Sequence, residues 1–141
     1  MKRFEWVEHP SDIGFRAYGS NLAEAFENAA VALFEIMTET RGVEPKEEVE
    51  VELKAEDREA LLYDWLDRLI YLQDSRGLLF SKFKVEIAEK AGELELRAKA
   101  WGEKFDPKKH KEKTHVKAMT YHMMEIKEEP GGCWVQAVVD I

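Results

Sequence analysis

Apolar residues recur with a helical period in two parts of the chain. Between residues 20 and 42 they stand three or four positions apart, with Asn21 placed to cap the helix at its start and Gly42 to end it. Residues 57–77 show the same period, which predicts a second amphipathic helix that ends near Gly77. The apolar positions are Leu22, Phe26, Ala29, Leu33 and Met37 in the first helix, and Leu61, Leu62, Trp65, Leu69, Ile70 and Leu72 in the second.

The rest of the chain alternates apolar with polar residues or is rich in β-branched and aromatic residues, which predicts strands. Two strands precede the first helix, one lies between the helices and four follow the second, so the order is ββαβαββββ. We expect an α+β fold, a two-layer sandwich in which both helices pack on one largely antiparallel or mixed sheet. The length of 141 residues predicts a single domain that covers residues 1–141.

Charge and cysteine content narrow the class of protein. A formal net charge of −8 at pH 7 repels nucleic-acid phosphates, so an independent RNA-binding domain is disfavoured, and the loop segment "KKHKEK" is its only local support. The single cysteine, Cys133, excludes an intramolecular disulfide and a redox switch built from cysteine pairs. No run approaches the roughly 18 apolar residues of a membrane span, and the first residues do not resemble a signal peptide. We therefore expect a cytoplasmic protein with no membrane partner.

Local signatures of catalysis are absent from the sequence. It has no phosphate-binding glycine loop, no G-x-S-x-G and no H-E-x-x-H. His115 and His122 are seven residues apart on one predicted strand, which places them on opposite faces and excludes a shared metal unless a bulge intervenes. We expect His110 in a solvated loop, and both Trp65 and Trp101 in the core.

Acidic groups stand at two predicted strand ends. Asp12 lies in the polar corner "HPSD" between the first two strands, and Asp140 ends the last strand beside Ile141, which adds a main-chain oxygen and a carboxylate. Such hard oxygen donors suit Ca²⁺ or Mg²⁺. If the first and last strands are neighbours, these groups converge on a cation site. The alternative is a frayed and hydrated chain end, and sequence separation does not decide between the two.

Three stretches, spread in order over the whole chain, resemble the archease family. They are "HPSDIGFRAYG", "LLYDWLDRLIYL", and "VKAMTYHMMEI" followed by "VVDI" at the end. Pro10 and Ser11 replace the Thr-Ala pair of the family's usual H-T-A-D pattern, whereas the aspartate is retained as Asp12.

The resemblance implies a compact α+β domain that serves as an accessory factor of the RtcB-type RNA ligase, the enzyme that seals tRNA halves after intron removal. Such a factor promotes formation of the ligase's histidine–GMP intermediate and multiple turnover without being an enzyme itself, and it meets tRNA only through the ligase. The resemblance also implies a metal site, with calcium as the expected cation. Its ligands would be Asp12, Asp140 and the main-chain oxygen of Ile141.

Two alternatives from other classes remain open. One is a chaperone-like binding module for RNA-modifying enzymes such as a tRNA methyltransferase, since the family has also been linked to RNA methyltransferases. The other is a small metal-dependent hydrolase that uses Asp12 and Asp140 with Asp64 or Asp67. The two helix aspartates equally fit a solvated face or a surface that docks a partner.

Overall fold

The computed structural model of the protein describes residues 2–7 and 12–141. Within them the strands and helices follow the predicted order, with one addition, a short 3-10 helix at Thr40–Gly42. The predicted corner at residues 9–11 lies outside the described residues. The elements are β1 (Phe4–Val7), β2 (Asp12–Gly19), α1 (Leu22–Met37), β3 (Glu47–Ala55), α2 (Arg58–Arg76), β4 (Leu78–Lys90), β5 (Glu93–Lys104), β6 (Ala118–Glu129) and β7 (Gly132–Asp140).

Side chains and a glycine fix the ends of both helices. At the start of α1, Asn21 Oδ1 accepts a hydrogen bond from Glu24 N, while Glu24 Oε1 accepts one from Ser20 N, so two main-chain donors are satisfied reciprocally. At the start of α2, Asp57 Oδ1 accepts a hydrogen bond from Ala60 N at 2.8 Å and so caps the helix. Gly77 ends α2 with φ of 66°, a left-handed conformation that favours glycine. The helix ends predicted at Asn21 and Gly77 are thus confirmed, whereas the end predicted at Gly42 is wrong, because α1 ends at Met37 and Gly42 belongs to the 3-10 helix.

The strands form two antiparallel sheets, which corrects the prediction of one sheet. The four-stranded sheet has the order β1-β2-β7-β6, and the three-stranded sheet has the order β3-β5-β4. The α+β class and the order ββαβαββββ are confirmed. One sheet is insufficient because most of α1 is apolar, and a helix that is apolar on nearly all sides must be covered from more than one direction.

Contacts on opposite sides of α1 show how it is covered. Asn28 Nδ2 donates to Tyr18 O on β2 at 2.6 Å, and the Phe34 ring meets the Phe80 ring on β4 with centroids 5.5 Å apart. Helix α1 therefore lies between the two sheets. One cluster of buried apolar side chains extends over both sheets and both helices. This core is consistent with a single domain of residues 1–141, which stays a prediction.

A close approach between strand and helix sets the position of α1. A Cβ atom on Gly19, the last residue of β2, would lie 2.4 Å from Ala25 N in the first turns of α1. Only a residue without a side chain fits that approach. The start of α1 is therefore held against one end of β2, and Asp12 lies at the other end of the same strand.

The two tryptophans predicted in the core have different environments. Trp65 is fully buried and its Nε1 donates to Phe26 O at 3.0 Å, which ties α2 to α1. Trp101 is only partly buried, and its Nε1 donates to Glu48 Oε1 at 3.1 Å across neighbouring strands. The prediction is confirmed for Trp65 and wrong for Trp101. Among the described residues, no helix is both long and apolar enough to cross a membrane.

Candidate functional site

The two aspartates singled out in the sequence face each other in the four-stranded sheet. Strands β2 and β7 are antiparallel neighbours, and Asp12 is the direct partner of Asp140. Directly opposed residues point to the same face, with Cβ atoms about 5 Å apart. The next pair, Ile13 and Val139, points to the core, so the two aspartates point to the outer face of this sheet. We call Asp12, Asp140 and Ile141 the acidic end.

The main chain of the acidic end is held by its neighbours. Asp140 pairs with Ala118 of β6 on its other side, and Asp140 O accepts a hydrogen bond from Lys117 N at 2.9 Å. The side chain of Ile141 packs against the core. Asp140 thus lies between two strands, with its exposed carboxylate on a fixed main chain, and the frayed end considered as an alternative is not what the structure contains.

The donor set of the acidic end suits a hard divalent cation. Two like charges directly opposite each other in a sheet repel, and a cation between them would offset that repulsion. Asp12 and Asp140 supply two carboxylates, and the main-chain oxygen of Ile141 is adjacent. In the described part of the chain, no three His, Cys, Asp or Glu side chains form a group that could hold a metal. Binding of calcium at these residues stays a prediction.

A large bulge in β6 lies beside the acidic end. Thr120 pairs with Val138, but the next pair is Glu125 with Gln136, so β6 advances five residues where β7 advances two. Gln136 Nε2 donates to Met123 O at 3.0 Å, which holds the bulge against the outer face of the sheet. Gln136 and Val138 are accordingly buried although they share that face with Asp140. The bulge covers the sheet up to the acidic end.

The bulge exposes aromatic and apolar surface. Tyr121 is 55% exposed and Met123 is 44% exposed, and the ring of Tyr121 stacks on the ring of Tyr63 in α2 with centroids 4.3 Å apart. His122 between them is also exposed. We call Tyr63, Tyr121, His122 and Met123 the bulge patch. Tyrosine and methionine are enriched where proteins bind other proteins, so the bulge patch is suited to docking.

Electrostatic effects extend from the bulge patch into α2. Partial burial, followed by the negative charge of Asp67, raises the pKa of Asp64 above its ordinary value. Partial burial and then the carboxylate of Asp64 raise the pKa of Tyr121. Asp64 and Asp67 belong to no three-residue metal-binding group among the described side chains. The structure thus places these two aspartates by the bulge patch and does not assemble the site required by the hydrolase alternative.

The structure corrects the argument about His115 and His122. His115 precedes β6, which begins at Ala118, and His122 lies within the bulge. Alternation along a regular strand therefore does not relate the two side chains. The segment "TYHMM" gives no local sign of a bulge of this size, because its residues are compatible with an ordinary strand. Only the resemblance drew attention to Tyr63 and Tyr121, each of which lies in a stretch that carries it.

The prediction of a solvated His110 is also wrong. Its side chain is fully buried, with Nε2 2.9 Å from Glu103 Oε2, while Nδ1 accepts a hydrogen bond from Asp106 N. Glu103 additionally accepts from Glu44 N and from Lys109 Nζ. We call Glu44, Glu103, Asp106, Lys109 and His110 the loop clasp. It anchors the polar loop after β5 to the body of the protein, since the hydrogen bonds satisfy side chains that the loop buries.

Known proteins resemble this chain in both sequence and fold. The family model described as "Archease protein family (MTH1598/TM1083)" matches residues 4–141. The chain is 57% identical over 141 residues to Protein archease from Sulfurisphaera tokodaii, with 100% of both chains covered. It is 51% identical over 142 residues to Protein archease from Pyrococcus furiosus, again with 100% of both covered.

Two solved structures have the same architecture. The solution structure of Methanobacterium thermoautotrophicum protein 1598 matches with a TM-score of 0.89 at 49% identity and covers 100% of both chains. The crystal structure of an archease from Thermotoga maritima, described as a possible chaperone, matches with a TM-score of 0.61 at 26% identity. That match covers 96% of this chain and 94% of the other.

Fold and site together define a small α+β protein with paired carboxylates at the end of a sheet and an exposed aromatic bulge beside them. The chain belongs to the archease family. The resemblance carried by the three sequence stretches is thereby confirmed.

Proposed function

We propose that this protein is an accessory factor that stimulates an RtcB-type RNA ligase. In this role it promotes formation of the ligase's histidine–GMP intermediate and allows multiple turnover. It is not itself an enzyme, it meets tRNA only through the ligase, and it works in the cytoplasm. Membership of the archease family supports the proposal. The observation that carries it is the direct pairing of Asp12 with Asp140, because it gives the protein a fixed acidic end.

The acidic end and the bulge patch offer complementary contributions to such a role. An acidic surface favours association with an enzyme whose substrate site is basic, because opposite potentials increase the rate of encounter. The exposed rings and thioether of the bulge patch supply apolar contact area next to it. Asp12, Asp140 and the Ile141 main-chain oxygen would hold a calcium ion. A bound cation would neutralise the carboxylates and present positive charge toward the phosphates of GTP.

Single-turnover guanylylation of a cognate ligase with labelled GTP tests the proposal. The protein is added at about a tenth of the ligase concentration, since a turnover factor acts below stoichiometry. We expect acceleration with the natural chain and at least a roughly tenfold smaller effect with Asp140→Asn, because one charge of the pair is lost. Asp74→Asn, an exposed aspartate in the last turn of α2, is the matched control and should leave the acceleration unchanged.

Three results would contradict the proposal. Normal stimulation by a folded Asp140→Asn protein would remove the acidic end from the mechanism. No acceleration of an active cognate ligase would remove the ligase as the partner. Hydrolysis of GTP by the protein alone, lost in Asp12→Asn, would instead identify the metal-dependent hydrolase.

A chaperone-like module for RNA-modifying enzymes, with a tRNA methyltransferase as a client, is the second candidate. The description of the Thermotoga maritima archease as a possible chaperone favours it, as does the exposed bulge patch. A holdase needs about one copy per client, whereas a turnover factor does not. Titration of the protein against the aggregation of a heated methyltransferase measures that stoichiometry, and the outcome does not depend on Asp140 if the apolar patch alone holds the client.

A further inference from the structure

One edge of the three-stranded sheet is open toward α1. Among the described strands, β4 pairs only with β5, so its other edge has no strand partner. Val85 N points to this open side, where it donates to the carboxylate of Glu27 in α1 at 2.8 Å. Because main-chain directions alternate along a strand, Ile87 and Glu89 also direct their N–H and C=O groups outward. The Glu27 carboxylate occupies the position of a main-chain carbonyl from an added strand.

A groove of about 600 Å³ runs between this edge and the first turns of α1. Its apolar surface comes from the helix start, from β4 and from the neighbouring strand. Open strand edges beside such surfaces bind extended peptides, because main-chain hydrogen bonds provide affinity and alternate side chains enter the groove. The apolar lining residues are Leu22, Ala23, Val85, Ile87, Ala88 and Leu94.

The negative charge of the groove favours an occupant with basic side chains. Among the described residues, five carboxylates line the groove, against a single lysine, Lys84. Within that part of the chain, Glu128 alone of the five is paired with a basic side chain, Arg58, at 2.5 Å. A strand that enters the groove with alternating basic and apolar residues would match both its acidic rim and its apolar surface. The five carboxylates belong to Glu24, Glu27, Glu86, Glu89 and Glu128.

We propose that this groove binds an extended segment of a partner protein in which basic and apolar residues alternate, as a fourth strand added beside β4. The basic side chains enter the groove on the face of Ile87 and Glu89, where their methylene stems lie along Ile87 and their charged ends reach Glu89. The apolar side chains lie on the opposite face, beside Ala88. The Glu27 carboxylate releases Val85 N to the incoming strand. A second copy of this chain is a poorer occupant, because its own β4 edge would bring the same carboxylates into the groove.

This binding site is separate from the acidic end, so it goes beyond the proposed function. The groove begins at the start of α1, which lies against Gly19 at one end of β2, whereas Asp12 lies at the other end. Seven residues of strand correspond to about 23 Å at about 3.3 Å per residue. Loss of ligase stimulation and loss of peptide binding can therefore be measured on separate variants.

Fluorescence anisotropy with a labelled, terminally blocked Lys-Val-Lys-Val-Lys-Val-Lys peptide tests the proposal on the full-length protein. We expect saturable one-to-one binding. The same peptide with N-methyl groups on alternate residues along one edge keeps its charge but loses main-chain donors, so its binding should weaken at least about tenfold. Hydrogen exchange should slow at the Ile87 amide when the unmodified peptide binds. Equal binding of both peptides would overturn the proposal, since only nonspecific attraction would explain it.

A pair of charge-reversal variants tests the location. Glu89→Lys in the groove and Glu112→Lys in the loop after β5 change the net charge equally, and both side chains are exposed. Peptide binding should weaken several-fold in Glu89→Lys and by less than about twofold in Glu112→Lys. Equal weakening in both variants, or absence of peptide binding, would contradict the proposal. Concentration-dependent self-association lost in Glu89→Lys would overturn it in favour of a second copy as the occupant.

Discussion

The carboxylate of Glu103 in the loop clasp is held in its charged form by several donors. Burial raises the pKa of Glu103, but hydrogen bonds from Glu44 N, the Lys109 ammonium and the His110 ring lower it by a larger amount. The net effect is a pKa of about 2. The ordinary value is 4.5. A carboxyl group whose pKa is depressed in the folded state stabilises that state above its unfolded pKa, and this contribution is lost as the pH falls through the folded pKa.

We predict that Glu103→Gln lowers the free energy of unfolding at pH 7 by about 1.5–3 kcal/mol, because hydrogen bonds from charged donors to a buried carboxylate are weakened. The difference from the natural chain should shrink below about pH 4.5 and disappear only below about pH 2, where Glu103 becomes protonated in both states. Urea unfolding at several pH values measures it. Glu47→Gln, at an exposed position of β3, is the control. A difference in the free energy of unfolding that does not change with pH would contradict the assigned cause.

Single residues also show where sequence reasoning succeeds and where it stops. The expectation that Asp12 and Asp140 converge depended on one condition, that β2 and β7 are neighbours, and the structure meets it. The burial of His110 depends on Glu103 and Glu44, which lie in other elements. A charged loop such as "KKHKEK" shows no sign of such partners, so its composition alone predicts a solvated loop.

The bulge in β6 determines what the four-stranded sheet presents to solvent. Without it, residues 121–124 would continue the pairing with β7 and would leave the outer face beside Asp140 uncovered. Met123 adopts a φ of 56°, in the left-handed region that a residue with a side chain adopts at a cost. The bulge is therefore maintained by its contacts, which include the hydrogen bond from Gln136 and the stacking of Tyr121 on Tyr63.

We predict that Met123→Gly raises the free energy of unfolding by about 0.5–1 kcal/mol, because glycine adopts a positive φ without steric cost. Met123→Val should lower it by about 1 kcal/mol or more, since a β-branched side chain is least suited to this conformation. Chemical denaturation of the three proteins gives the comparison. If Met123→Gly were the less stable variant, side-chain packing rather than main-chain conformation would dominate at this position.

Element order, both helix starts and the end of α2 were predictable because their causes are local, whereas α1 ends at Met37 and not at Gly42. Asn21 and Asp57 cap the helices from within a few residues, and Gly77 ends α2 by its own conformation. The division into two sheets has a cause that spans the chain, since α1 must be covered from two sides. The bulge likewise depends on Tyr63 and Gln136, which lie far from it in sequence. Periodicity describes one element at a time and does not report such contacts.

On the scale of the whole molecule, the acidic end and the groove are two separate places whose carboxylates differ in what surrounds them. At the acidic end, Asp12 and Asp140 oppose each other on adjacent strands beside the bulge patch. At the groove, carboxylates border an open strand edge and apolar side chains. The first arrangement suits a small cation and a docked enzyme, whereas the second suits an extended chain. A net charge of −8 favours encounter with basic partners at both.

The calcium binding proposed for the acidic end predicts a change in the stability of the entire protein. A ligand that binds only the folded state adds about 2.7 kcal/mol when present at about 100 times its Kd, which corresponds to a rise in Tm of roughly 5–10 °C for a domain of this size. Asp140→Asn should abolish this response.

The same variant should be slightly more stable than the natural chain in the presence of chelator, because it removes the repulsion between paired carboxylates. Asp74→Asn should respond to calcium like the natural chain. Differential scanning calorimetry with chelator or calcium measures all three proteins, and an unchanged Tm of the natural chain at millimolar calcium would mean that the paired aspartates act without this cation.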